Sequence, residues 1–158
     1  MDGQLYYLLK CFHIFGVIIF FGNIIVTMCW KIMADKTRDP KIISFAQRQV
    51  TVTDFLFTSS GVLIILVTGY INATLFQLDI WSTKWLAWGM WLFIISGVLW
   101  GAVLFPLQYK LGKMAKEFQN NGSIPNEYWA LGRAWVFFGS LSILIALSSI
   151  YFMVFKPM

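Results

Sequence analysis

The sequence predicts an all-α fold, a transmembrane antiparallel four-helix bundle, on three observations. Four apolar runs, Cys11 to Trp30, Phe55 to Leu75, Trp85 to Leu107 and Trp135 to Phe155, fill most of the 158 residues. Each reaches the roughly 20 residues that a helix rising 1.5 Å per residue needs to cross a hydrocarbon core about 30 Å thick. The composition is 59% apolar and 12% charged, about half the charged share of an ordinary soluble domain. Finally, the basic residues segregate. If the spans alternate direction, Lys31, Lys36, Arg38, Lys41, Arg48, Lys110, Lys113 and Lys116 share one side, against Lys10, Lys84 and Lys156 on the other. By the positive-inside rule the first and third connections are cytoplasmic and both termini lie outside, as in a multi-pass protein.

One domain is expected over residues 1-158, with spans at about 5-33, 50-75, 84-112 and 128-155. The first helix contains no proline, and Tyr6, Tyr7 and Trp30 stand where interfacial aromatic anchors belong. It carries His13 and Asn23 and lacks a small-residue cleavage site, so it reads as a retained helix rather than a signal peptide. Asp39-Pro40 is a cap followed by a proline at a first helical position, and the second helix is expected to start there, outside the bilayer. Asn72 to Thr83 forms the outer connection. Pro106 is expected to kink the third helix, and Asn120-Asn121-Gly122-Ser123 to end it. Pro125 leads into the fourth helix with Asn126 as its cap. Gly97 and Gly101 on the third helix, with Ser140, Ala146 and Ser148 on the fourth, read as small-residue stripes for packing within one bundle.

Function must lie with the few polar groups inside the spans, since an ionisable group at membrane depth is costly unless paired or wetted. The candidates are His13, Asn23, Arg48, Asp54, Asn72 and Arg133. Asp54 and Arg133 enter their helices from the same side at matching depth, so an Asp54–Arg133 ion pair is expected, either as a clamp between helices or as a proton or substrate site. His13 lies about 12 Å into the first helix from the opposite side, too far to touch Asp54. Its neutral ring can ligate haem iron or relay a proton; the plainer role is an interhelical hydrogen bond, with Asn72 at similar depth. Trp88, with Trp85, Trp91 and Phe152, is a candidate wall for a flat slot beside His13. Apart from haem iron at His13 no metal site is expected, because one His and two Cys do not make a matched ligand set.

Several function classes drop out. Cys11 and Cys29 lie about 27 Å apart along one helix and cannot form a disulfide with each other. Ser59 and Ser60 have no histidine at their depth, and no phosphate-binding loop, dinucleotide fingerprint or H-E-x-x-H motif occurs. The net charge of +5 is a topology signal; nucleic acid is not an expected partner, because no soluble surface gathers basic and aromatic residues.

Leu9-Lys10-Cys11-Phe12-His13-Ile14, Arg38-Asp39-Pro40, the run Arg48 to Thr58 with T-D-F-L-F-T, Gly97-x-x-Trp100, and Tyr128-Trp129 followed by Arg133-x-Trp135 resemble the bacterial membrane family called domain of unknown function 2269. That resemblance covers nearly the whole chain and implies a multi-pass protein of the bacterial cytoplasmic (inner) membrane rather than an activity. A more distant likeness, carried by Lys10, His13, Ile14 and Val17 and by the closing Val154-Phe155-Lys156-Pro157, is to HemJ-type protoporphyrinogen oxidases, in which a first-helix histidine is essential. It implies that His13 is a candidate axial ligand for haem b or a porphyrin. Gly89 stands near the place of that family's third-span lysine and a second histidine is missing, so the likeness extends to a single-histidine haem site rather than to the oxidase reaction. A related comparison, with CopD-like membrane domains, stops at the scattered methionines. Three functions stay open at this point: a membrane protein binding haem or porphyrin through His13, a non-catalytic scaffold or accessory subunit, and a proton-coupled transporter.

Overall fold

The computed structural model describes residues 3–157; Met1, Asp2 and Met158, part of the expected 1-158 domain, lie outside the described residues. The chain forms α1 (Gly3–Thr37), α2 (Pro40–Thr53), α3 (Ser59–Leu75), α4 (Lys84–Leu99), α5 (Phe105–Asn121) and α6 (Asn126–Phe155). A π-helical turn, Asp54–Thr58, joins α2 to α3, and a second, Trp100–Leu104, joins α4 to α5. The result is four long helices, each long and apolar enough to cross a membrane. Large side chains such as Phe55, Val98 and Leu144 point outward over the apolar middle, as a lipid-solvated surface requires.

The helices outrun the expected spans. At 1.5 Å per residue the 35 residues of α1 reach roughly 50 Å, well beyond a 30 Å core. The excess gathers at the end carrying the α1–α2 and α5–α6 connections, here called the basic end. There α2 and α5 are amphipathic. Ile43, Ala46, Gln47 and Val50 recur at helical spacing and are buried on α2, as are Gln108, Leu111, Ala115 and Phe118 on α5, and the two helices pack together. With Leu104, Tyr128 and Trp135 they build the main apolar core. Toward the opposite end α1 pairs with α3, and α4 with α6; the two pairs meet through side chains such as Phe20 and Phe93, whose rings lie 5.8 Å apart.

Local chemistry sets the boundaries. Asp39 accepts hydrogen bonds from the Lys41 and Ile42 N–H groups at 2.8 and 3.3 Å, with Pro40 opening α2. Gly122 ends α5 in the left-handed conformation, φ 73°. Asn126 does not cap α6: it is already helical, Pro125 holds the cap position without a side-chain bond, and Glu127 in the first turn instead pairs with Lys110 at 2.6 Å. In the α3–α4 connection Asp79 accepts from the Ser82 and Trp81 N–H groups, 2.8 Å each, which holds its carboxyl below the usual carboxylate range. Pro106 lacks the N–H that an α-helix would direct to residue 102, and the widened turn directly before it accommodates this loss, with the Phe105 N–H bonded to the Trp100 carbonyl.

The close helix contact is not where the small-residue stripes placed it. Gly97 and Gly101 are exposed, with nothing packed over them, and Ser148 also faces outward, whereas Ala146 is fully buried as the fourth-helix stripe requires. The close approach is between α1 and α3. A Cβ on Gly61 would sit 2.9 Å from the Phe20 Cβ and 3.1 Å from the Gly16 carbonyl oxygen, and one on Gly16 would meet Ile64. Because the opposing atoms include backbone, Gly61→Ala is expected to force the helices apart and destabilise the fold by roughly 1–3 kcal/mol. Gly97→Ala should be close to neutral. Unfolding both variants in mixed micelles checks this; equal losses would show that the crossing is not the tight point.

Candidate functional site

The widened turn at Asp54–Thr58 carries two polar side chains into the bundle. Asp54 is 7% and Thr58 2% exposed. The Asn23 amide of α1 donates to Asp54 Oδ1 at 2.9 Å and to Thr58 Oγ1 at 3.0 Å, and Thr58 in turn donates to Asp54 Oδ1 at 3.1 Å. Thr27, one turn along α1 and buried, bonds back to the Asn23 carbonyl at 2.8 Å. Asp54, Thr27 and Gln108 of α5 border a cavity of about 30 Å³ in the middle of the bundle, to which all four long helices contribute. Trp135, Ser96 and Ser142 line its other side, the two serine hydroxyls 3.0 Å apart. The volume suits roughly one or two water molecules. Both π-helical turns touch this cavity, through Asp54 on one and Trp100 and Leu104 on the other; such turns are frequent at functional sites.

Asp54 does not pair with Arg133. Arg133 is exposed, while its neighbour Gly132 faces α1 beside Lys31 and Asp35. Depth separates them as well, since the part of α6 that borders Asp54 is Trp135, Gly139 and Ser142, and Gly139 lies six residues, about 9 Å, beyond Arg133. The expected ion pair therefore fails on both rotation and height. Among the described residues no basic side chain lies within ion-pair distance of Asp54.

The buried charge is elsewhere, and it is one that the topology count had assigned to a loop. Lys31 lies inside α1, 1% exposed, with its ammonium 2.7 Å from Asp35 Oδ2 and donating to Tyr128 Oη at 3.2 Å. Tyr128 donates to the other Asp35 oxygen at 2.8 Å, closing the triangle. The ammonium also sits 5.8 Å from the centre of the Trp135 ring. The signal for this cluster was legible as an i, i+4 Lys–Asp pair on one helix face; the contribution of Tyr128 was not, because nothing local ties it to α1.

His13 is half-buried and forms a separate site. Its Nδ1 lies 3.0 Å from Thr68 Oγ1, and the Thr68 hydroxyl donates to the Ile64 carbonyl, so the ring donates from Nδ1 and keeps its lone pair on Nε2. The partner is Thr68 rather than Asn72, one turn further on, whose buried Oδ1 has no hydrogen bond. Trp88 is not beside His13: it is 58% exposed and stacks on Phe152, between α4 and α6. The aromatic wall and the histidine thus belong to different helix pairs. Cys11 and Cys29 are free and exposed. A larger open groove, about 280 Å³, runs along Ile19, Gly22, Val26 and Phe57 to the edge of Asn23, and neither cavity includes His13.

Four membrane-length helices enclosing a carboxyl held by neutral hydrogen-bonding groups define a polytopic α-helical membrane protein with a polar centre in its interior. The family is equally plain: the model described as "Predicted integral membrane protein (DUF2269)" matches residues 7–157, and the chain belongs to that family. Neither a curated protein nor a solved structure matches the chain.

Proposed function

We propose that this membrane protein takes up and releases protons within the bilayer, in the service of proton-coupled transport, and that Asp54 is the group that carries the proton. One observation supports this above the others. A carboxyl sits at the centre of four spanning helices with hydroxyl and amide partners but no basic partner among the described residues, and it borders a cavity of water size. A purely structural carboxylate at this depth is expected to be matched by a cation; one matched by neutral donors can lose and regain its charge without breaking an ion pair. Reconstituted in vesicles under an imposed pH gradient, the protein should move protons, and Asp54→Asn should stop it.

Orientation belongs to the same reading. The basic end faces the cytoplasm, with both termini outside, by the bias of Lys and Arg between the two ends, and the family resemblance suggests a bacterial inner membrane. An engineered cysteine at Ser123, in the α5–α6 connection, should be protected from an impermeant thiol reagent in intact cells. Labelling there would reverse the assignment.

Haem b on His13 is a second reading, favoured by the Thr68 bond that fixes the ring and leaves Nε2 free, as a ligating histidine requires. The other groups of the expected slot do not support it, because Trp88 stacks away from His13 and the donor set there offers one axial ligand. A Soret band in haem-supplemented protein that disappears in His13→Ala would favour this reading over the proton one; its absence in the wild-type chain would remove it. In the scaffold reading Asp54→Asn changes neither flux nor spectrum.

A further inference from the structure

Gln47 lies on the buried face of α2, 1% exposed, and neither atom of its amide has a hydrogen-bond partner. The indole Nε1 of Trp135, 6% exposed, is likewise unpaired. Buried amides and indoles normally find partners, and where protein supplies none the partner is ordered water. We propose that Gln47 and Trp135 hold a short chain of water molecules linking the Asp54 carboxyl to the Lys31–Asp35–Tyr128 cluster, so that Asp54 exchanges protons with the basic end of the bundle alone. This rests on the reading of Asp54 as the proton carrier and adds its route and its side.

The helical register places these groups in sequence. Gln47 precedes Asp54 by two turns, about 10 Å, on the same buried face of one continuous helix. Asn23 touches Asp54, and Lys31 lies eight residues, about 12 Å, further along α1 toward the basic end, so Gln47 stands near the depth of Lys31. Trp135 spans the interval from α6. It lines the cavity beside Asp54 and Gln108, and its ring lies 5.8 Å from the Lys31 ammonium. The route ends at Asp35, whose side chain is 20% exposed.

Between α1 and α3 the opposite direction is closed. Beyond Asn23 and Thr58 the α1–α3 contact becomes apolar and tight, Gly61 against Phe20 and Gly16 against Ile64, and His13 with Thr68 lies on the far side of that block. In the proposed passage the Asp54 carboxylic acid gives its proton to the adjoining water. The excess proton moves along the chain and leaves to bulk water beside Asp35; the reverse passage restores the acid. The Lys31–Asp35 contact is not broken in either direction. The other charged groups on the packed helices face outward, among them Lys36 of α1, Lys41 and Arg48 of α2, Lys110 of α5, and Glu127 and Arg133 of α6, and Gln108 of α5 lines the same cavity as Asp54.

The test is the rate at which the Asp54 carboxyl band appears in the infrared after a pH jump, with the full chain in lipid vesicles. Gln47→Met keeps the size of the side chain and removes its hydrogen bonds, and should slow the band by about tenfold, the worth of one buried hydrogen bond. Trp135→Phe should slow it by a smaller factor. Both should leave the equilibrium amplitude of the band unchanged, and Asn72→Leu, beyond the apolar block, should leave the rate unchanged. Wild-type rates in Gln47→Met and Trp135→Phe, or a slowing in Asn72→Leu, would overturn the route while leaving Asp54 as carrier. A spectrum with no band attributable to Asp54 would overturn both, and the flux assay reports that failure independently.

Discussion

Asp35→Asn is expected to destabilise the fold by roughly 3–5 kcal/mol, the cost of removing one partner from a buried ion pair. Lys31 is almost fully enclosed, and its ammonium has two partners, Asp35 and Tyr128. Without the carboxylate the charge stays in an apolar surround, above the Trp135 ring and against Gly132, with only a phenol to balance it. Lys31→Met alone should cost less, because Asp35 is partly exposed and can take water. The double change Lys31→Met, Asp35→Asn should recover much of the loss, since it removes the charge together with its partner. A double-mutant cycle on unfolding in mixed micelles measures the coupling; strictly additive losses would show that the two charges do not stabilise one another.

The second large effect is on flux rather than stability. Asparagine at position 54 retains an oxygen that can accept from Asn23 and Thr58, and its amide can face Gln108, so the fold should hold to within about 1 kcal/mol. Proton movement should nevertheless fall by at least about a hundredfold, the lower range of what a positioned proton-transfer group contributes. Asp54→Glu should keep a measurable part of it. Equal flux in wild type and Asp54→Asn would assign the carboxyl to packing, as the scaffold reading requires.

The spans were legible because lipid allows few alternatives: a backbone in hydrocarbon must satisfy its own hydrogen bonds, so a run of twenty apolar residues is a helix. Asp39-Pro40 and Gly122 marked boundaries for reasons local to the chain, and both act as expected. Asp54 was also legible as a candidate, by its charge in a span. What could not be read was the rotation of each helix about its axis. In a soluble helix polar and apolar faces reveal it; here lipid and core are both apolar, and the pattern is silent. That is why Arg133 looked able to meet Asp54 when Gly132 holds the inward face, and why Gly97 and Gly101 looked like a packing step when Gly16 and Gly61 make the close contact. Nothing local marks Gln47 or Gln108. Their significance comes from burial, set by the pairing of α2 with α5, which no short motif encodes. The π-helical turn at Asp54 has no local signal either, whereas Pro106 gave one for the turn before it.

The most direct measurement of the central claim is an equilibrium infrared titration of the reconstituted protein, wild type against Asp54→Asn, in the region of the protonated carboxyl stretch. The account predicts one band that appears and vanishes reversibly with pH in the wild type and is missing from Asp54→Asn. A wild-type spectrum without such a band, or a band that persists unchanged in Asp54→Asn, would contradict it.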